Sequence, residues 1–315
     1  HYPLRRQRQM CIRDREGRNE YIPIEVHWSQ VPGRDEGWKK QTIANTSEEQ
    51  FLTEFECDFV GSSATLISSH KLKCLAYKKP TYENDEGLRV YEEPKKERSY
   101  VMCVDTARGQ GKDYSAFVVI DITKTPYRLV ATYRNNTIAP MMYPNAVNAV
   151  GKQYNNAYVL VEINDIGGQV ADIMHNDLEY DNIMMCSVKG RKGQVLDGGF
   201  GRGGSQLGIR TTMVTKRIGC ATLKSLIEED KLIVEDLNTI NELTSFVAKR
   251  QSFEADDGHH DDLVMGLVLF SWMTTQPYFK ELMDLDIRQD IYGDKIKQME
   301  EEMMPFGFIN DGLDP

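Results

Sequence analysis

Tyr100-Val101-Met102-Cys103-Val104-Asp105 decides how this chain folds. Five apolar residues are closed by an acid, and Thr106-Ala107-Arg108-Gly109-Gln110-Gly111 follows as a turn. A short apolar run bounded by turn residues predicts a buried strand, here with a carboxylate at its carboxyl end. Ala157-Tyr158-Val159-Leu160-Val161-Glu162 repeats the pattern ahead of Asn164 and Gly167-Gly168. A third acid, Asp262, stands in His259-His260-Asp261-Asp262, just before Leu263-Val264-Met265-Gly266-Leu267-Val268-Leu269-Phe270. That run is long enough and rich enough in Leu and Met to predict a buried helix.

Working outward, strands are predicted over 100–105, 115–122, 127–133, 157–162 and 182–187. Helices are predicted over 140–154, 167–178, 212–229, 238–247 and 260–274. Three consecutive short strands imply an antiparallel meander, and the strand–helix–strand units after it imply parallel, right-handed crossovers. The fold class is therefore α/β, a mixed sheet flanked by helices on both faces. Residues 1–63 are more polar and form a separate N-terminal segment, with a helix over 47–55 capped by Ser47 and Gln50 and a linker at Gly61-Ser62-Ser63-Ala64. Residues 64–280 form the main domain. Residues 281–315 form a charged arm, with a surface helix over 284–304. The stretch 190–208 holds eight glycines and reads as a flexible loop or hairpin tip.

At 315 residues and 40% hydrophobic content the chain can bury a substantial core. No apolar stretch approaches the length needed to span a bilayer, and the basic start His1-Tyr2-Pro3-Leu4-Arg5-Arg6 lacks the apolar core that a signal peptide would show. The six cysteines are scattered, without a CxxC pair, as in a reduced intracellular protein lacking a structural zinc site. The net charge of −10 argues against a broadly basic nucleic-acid binder. The distribution is uneven, however. Lys189, Arg191, Lys192, Arg202, Arg210, Lys216 and Arg217 stand against one acid, Asp197, and make a local stripe fit for a phosphate backbone or for a solvated loop.

Carboxylates at the carboxyl ends of central strands lie at the mouth of an α/β sheet, where ligands bind. Taken singly, Asp105, Glu162 and Asp262 are most simply polar strand ends or helix caps. As a set from three elements they suit divalent cations. Mg2+ takes hard oxygen ligands and keeps several waters. Two such ions roughly 3.5–4 Å apart can activate a water and offset charge on a phosphodiester. Asp105 would be shared by both ions. Asp113 and His260 are auxiliary candidates, Asp113 also being a natural turn residue and His260 a loop residue or a proton donor. Asp261 points about 100° from Asp262 on a helix, so one of the pair faces the ions and the other caps. The turn after Asp105 is no ATP-binding loop, because Asp113 stands where Ser or Thr must follow the Lys; no GxxxxGK[ST] occurs anywhere.

Val104-Asp105-Thr106-Ala107-Arg108-Gly109-Gln110-Gly111-Lys112-Asp113-Tyr114, Val161-Glu162-Ile163-Asn164, Gly219-Cys220-Ala221-Thr222-Leu223-Lys224 and His260-Asp261-Asp262-Leu263-Val264-Met265 together resemble the large terminase subunit of tailed bacteriophages. The myovirus type is nearest, and the likeness runs from about residue 21 to about 275. The resemblance implies a ribonuclease H-like nuclease with catalytic, metal-holding acids at Asp105, Glu162 and Asp262. It also implies Mg2+ as cofactor (two ions, Mn2+ substituting) and concatemeric double-stranded DNA as substrate. The implied partners are the portal protein, the small terminase subunit and the ATPase domain of the same protein, in the host cytoplasm at the prohead. Residues 1–63 resemble the end of that ATPase domain, and without a Walker loop this chain is not expected to hydrolyse ATP by itself. Two other functions remain open from the sequence: a junction resolvase or transposase of the same fold, and a non-catalytic module docking on portal or DNA.

Overall fold

Alternation within the short apolar runs builds the central sheet. In the computed structural model, which describes residues 28–45, 51, 55, 65–108, 113–188, 193–197, 205–249 and 252–283, the strands are β1 (Tyr82–Glu83), β2 (Leu88–Val90), β3 (Tyr100–Asp105), β4 (Ser115–Asp121), β5 (Tyr127–Asn135) and β6 (Tyr158–Val161). They lie in the order β1-β2-β5-β4-β3-β6, and β10 (Leu232–Ile233) pairs in parallel with β5. Strands β3, β4 and β5 form the antiparallel meander, and β6 runs parallel to β3. Successive side chains of a strand point to opposite faces. Val101, Cys103, Val118, Ile120 and Leu160 enter one core, while Met102, Val104, Phe117, Val119 and Val161 enter the other. Both faces are covered, so these strands read as unbroken apolar runs.

The second of these faces packs against α3 (Tyr143–Gln153) and α4 (Gly167–Asp172). The first packs against α5 (Met213–Glu228), α6 (Leu237–Ser245) and α7 (Asp262–Thr274). Helix α7 is buried from Leu263 to Met273, as an all-apolar helix must be. It meets α5 almost backbone to backbone: a Cβ on Gly219 would fall 2.4 Å from the Val268 carbonyl oxygen. Two short helices precede these, α1 (Glu36–Asn45) and α2 (Ser69–Cys74). Among the described residues no helix is long and apolar enough to cross a membrane.

Several expectations need correction. The stretch 182–187 does not join the main sheet as a full strand. Ile183 makes one parallel bridge to Val159, and the chain then leaves as β7 (Met185–Val188). The rest of the β6 edge is taken by Ile209, which bridges Glu162. Gly208 makes this possible at φ +76, where a Cβ would lie 2.3 Å from the Val161 oxygen. The glycine-rich stretch is accordingly not all loop. Residues Gln194–Asp197 (β8) and Ser205–Leu207 (β9) flank β7 in a three-stranded antiparallel sheet. The helix begun at Gly167 continues as a π-helical turn over Ile173–Asp177. A further hairpin, β11 (Phe246–Lys249) with β12 (Ser252–Ala255), leads into α7.

The chain divides into two compact units, His1–Ser63 and Ala64–Pro315. In the first, Trp28, Trp38, Phe51 and Phe55 form an aromatic cluster with ring centroids 5.1–5.9 Å apart. In the second, the chain is tied in from its first described residues. Thr65 bridges Val247, the Leu66 amide donates to the Phe246 oxygen at 3.1 Å, and Leu66 and Ile67 are buried. The expected linker 61–64, most of the expected helix 47–55, the turn 109–112 and the expected helix 284–304 lie outside the described residues, as does the C-terminal arm beyond Met283.

Candidate active site

Two facts of strand geometry bring the first two acids together. Val104 on β3 is paired in parallel with Val161 on β6, so Asp105 and Glu162 are neighbours at adjacent carboxyl ends. By the two-residue period both share the face of Cys103 and Leu160, the face covered by α7. Asp262, the first residue of α7, belongs to that same layer. The three acids interact. Burial first, then the charges of Glu162 and Asp262, and then a hydrogen bond with the Glu162 carboxyl hold the Asp105 carboxyl well above the usual carboxylate range. Burial pushes Asp262 up to about 6, opposed by the charges of Arg134 and His260.

The neighbouring residues fix this arrangement. Glu162 is buried; its amide donates to the Val104 oxygen at 2.8 Å, and its Oε1 accepts from Asn164 Nδ2 at 2.9 Å. Asn164 Nδ2 also reaches the Thr211 oxygen at 3.1 Å. Gly167 lies so close that a Cβ there would sit 1.8 Å from the Glu162 carbonyl oxygen, so no larger residue leaves this turn intact. The Tyr143 hydroxyl donates to the backbone oxygens of Asp105, at 3.2 Å, and Ala116, at 2.7 Å.

Asp261 occupies the N-cap position of α7, but its side chain does not cap the helix. Its Oδ2 accepts from the Ala255 amide at 3.3 Å. The cap is Glu242 of α6, which the sequence reading missed. Glu242 Oε2 accepts from the amides of Leu263, at 2.8 Å, and Val264, at 3.1 Å. Burial pushes Glu242 up to about 8, against the pull of Arg134 and these amides. Arg134 was missed as well. Its Nε lies 3.5 Å from Glu242 Oε1 and its Nη2 lies 3.8 Å from Asp262 Oδ2, with the guanidinium carbon 3.8 Å from the Tyr114 ring centroid. His260 Nδ1 stands 3.9 Å from Asp262 Oδ2, with its ring edge-on to Tyr114. Asp113 is exposed, at the start of the segment that leads into β4.

Of the basic stripe, Arg210 follows Ile209 beside Glu162 and is exposed. Lys216 and Arg217 are on the first turns of α5, where they line a cleft of about 260 Å3 with Lys224, Leu66 and Phe253. Lys189, Arg191, Lys192 and Arg202 lie outside the described residues.

Residues 102–272, more than half of the chain, match the family described as the terminase RNaseH-like domain. The chain belongs to this family. This terminase domain is also similar in structure to the large terminase nuclease of thermophilic phage G20c with bound magnesium. The two are 19% identical over 66% of this chain and 97% of that one, with a TM-score of 0.51. The cobalt-bound form of that nuclease is 20% identical over 66% and 97%, with a TM-score of 0.50. At such identity the likeness is one of fold, and it agrees with the ribonuclease H-like architecture expected of the terminase sequence motifs.

The donor set of the terminase site fits a hard divalent cation. It consists of carboxylate oxygens; Asp105 bears the repulsion of two neighbours; and Asp262 Oδ2 is buried without a hydrogen-bond partner. Among the described residues no three His, Cys, Asp or Glu side chains are already drawn to ligand distance of one point. Asp105 and Glu162 touch, while Asp262 is engaged by Arg134.

Proposed function

We propose that this terminase domain is a metal-dependent endonuclease that cuts concatemeric viral double-stranded DNA during genome packaging into the phage head, with little sequence preference. The observation that carries the reading is the contact of Asp105 with Glu162 at the carboxyl end of the sheet, within reach of the charge of Asp262. Glu162 is buried and Asp105 and Asp262 are half-buried, and carboxylates so placed repel one another, so the arrangement is costly unless positive charge joins it. The magnesium-bound and cobalt-bound states of the G20c nuclease support a divalent metal here.

Asp105, which interacts with both other acids, would be shared by two Mg2+ ions, with Glu162 and Asp262 each on one side; Mn2+ has the same ligand preference. Ions held there supply an activated water and offset charge on the scissile phosphate. Asn164 keeps Glu162 in orientation and Tyr143 fixes the backbone at Asp105. His260 is an auxiliary residue at the rim, 3.9 Å from Asp262 Oδ2. Asp261, turned towards Ala255, supports the approach to α7 rather than binding metal. Arg210, Lys216 and Arg217 supply positive charge for a duplex backbone, together with Lys189, Arg191, Lys192 and Arg202. Contacts to phosphate position DNA without reading its bases, hence the weak sequence preference.

In this reading residues 1–63 are the end of an ATPase domain and residues 64–280 the nuclease. The whole acts with the portal protein and the small terminase subunit, in the host cytoplasm at the prohead. The test is nicking of supercoiled plasmid by the purified chain. Cutting is expected with Mg2+ or Mn2+, none with a chelator, and none in Asp105→Asn with an unchanged circular dichroism spectrum. If Asp105→Asn cuts as well as wild type, the site is elsewhere. Cutting confined to branched junctions would move the reading to a resolvase.

A further inference from the structure

Arg134, near the end of β5, reaches the site from the opposite side to Glu162 and has no part in the reaction outlined above. Its guanidinium lies across the face of Tyr114, with Glu242 at Nε and Asp262 at Nη2. Arg134 Nε, Glu242 Oε1 and Asp262 Oδ2 are all buried, and none has a hydrogen-bond partner. Their separations, 3.5 and 3.8 Å, are those of ion pairs too long to be hydrogen bonds. The two contacts differ in stiffness. Glu242 is pinned through its other oxygen by two amides at the start of α7. Asp262 is held by less: the Tyr114 backbone bonds its carboxylate, while the oxygen that faces Arg134 is without a hydrogen-bond partner and has His260 Nδ1 at 3.9 Å.

We propose that Arg134 is a positioning residue that acts as the resident counter-cation of Asp262 and yields that carboxylate to an incoming divalent ion while remaining anchored on Glu242 and Tyr114. The inference rests on the assignment of Asp262 as a metal-holding acid. It explains why Asp262 stands apart from the touching pair Asp105 and Glu162. Coupling between two cations that share one carboxylate is reciprocal: what strengthens the hold of Arg134 weakens the metal by the same factor.

The test is calorimetric titration of Mn2+ into the purified chain without DNA, comparing wild type with three variants. Arg134→Gln is expected to bind Mn2+ more tightly, on the order of tenfold. Arg108→Gln removes a charge from the exposed loop after Asp105, where Arg108 pairs with Asp165 at 2.5 and 2.6 Å; it measures the general effect of lost charge and is expected to change affinity by less than about twofold. Asp262→Asn should weaken binding. If Asp262→Asn binds Mn2+ like wild type, the site assignment fails. If Asp262→Asn weakens binding but Arg134→Gln matches Arg108→Gln, the site stands and the role of Arg134 is refuted. Should Arg134→Gln not fold, the wild-type protein decides the matter by 15N NMR of the Arg134 side chain. A shift of the Nε signal that saturates with Mg2+ supports the exchange, and an unmoved signal at saturation overturns it.

Discussion

Glu242 caps the helix that carries Asp262: its Oε2 takes the amides of Leu263 and Val264 at 2.8 and 3.1 Å. Removing this acid exposes two helix-end donors in a buried setting and leaves Arg134 without its stiffer partner. Glu242→Ala should therefore cost about 3 kcal/mol in urea unfolding. Glu242→Gln keeps an acceptor for the amides and should stay within about 1 kcal/mol of wild type. Equal losses in the two variants would mean that charge, not capping, is the main contribution.

The mutual repulsion at Asp105 makes a second prediction. Asp105→Asn relieves the charge conflict with Glu162 and Asp262, so the metal-free variant should melt higher than wild type, by roughly 3 °C for about 1 kcal/mol. Added Mg2+ should raise the melting temperature of wild type and leave the variant unmoved. Thermal melts with and without chelator check both halves.

A third prediction concerns pH. Burial raises Asp262 to about 6 and Glu242 to about 8 in the folded chain, from ordinary values of 3.8 and 4.5. A carboxyl raised on folding favours the native state while it is protonated, and that contribution is lost as pH climbs through the folded value. Metal-free stability from these two groups should thus be greatest below about pH 4, fall across pH 4 to 6 through Asp262, and go on falling towards pH 8 through Glu242. Metal binding should run the other way, strengthening as Asp262 ionises. Chemical denaturation at several pH values, with Glu242→Gln flattening the upper part of the profile, checks the assignment.

Gly219 sets the spacing of α5 and α7. With Val268 O only 2.4 Å from an added Cβ, Gly219→Ala must push the helices apart, since the obstacle is backbone. A loss of about 2 kcal/mol is expected, along with slower nicking as the N-terminus of α7 shifts. A stable, fully active Gly219→Ala protein would show that the two helices can slide without disturbing the site.

Much of this was legible in the sequence because the informative residues lie in regular elements. The period of two along Cys103-Val104-Asp105 and Leu160-Val161-Glu162, with parallel pairing, suffices to set the two acids side by side. The buried helix after Asp262 is declared by its composition. Arg134 and Glu242 left no such mark. Arg134 is a lone basic residue near the end of a strand, and Glu242 sits within an ordinary amphipathic helix. Their roles arise from packing α6 and β5 around the start of α7, which no local pattern encodes. The exit of the chain from the main sheet at Met184 was hidden for a similar reason. It depends on Ile209, far along the chain, claiming the edge beside Val161.

The tie between Thr65–Ile67 and the β11 strand gives the seam between the two units a sharp location. Up to Ser63 the peptide belongs to one body; two residues later it is already woven into the other, with Leu66 and Ile67 in its interior. A truncation made just ahead of Thr65 keeps that stitch, whereas one made four residues further on strips both side chains from the hydrophobic layer beneath α5. Dissecting the chain into working pieces is thus a matter of single residues at this point, with almost no slack on the downstream side.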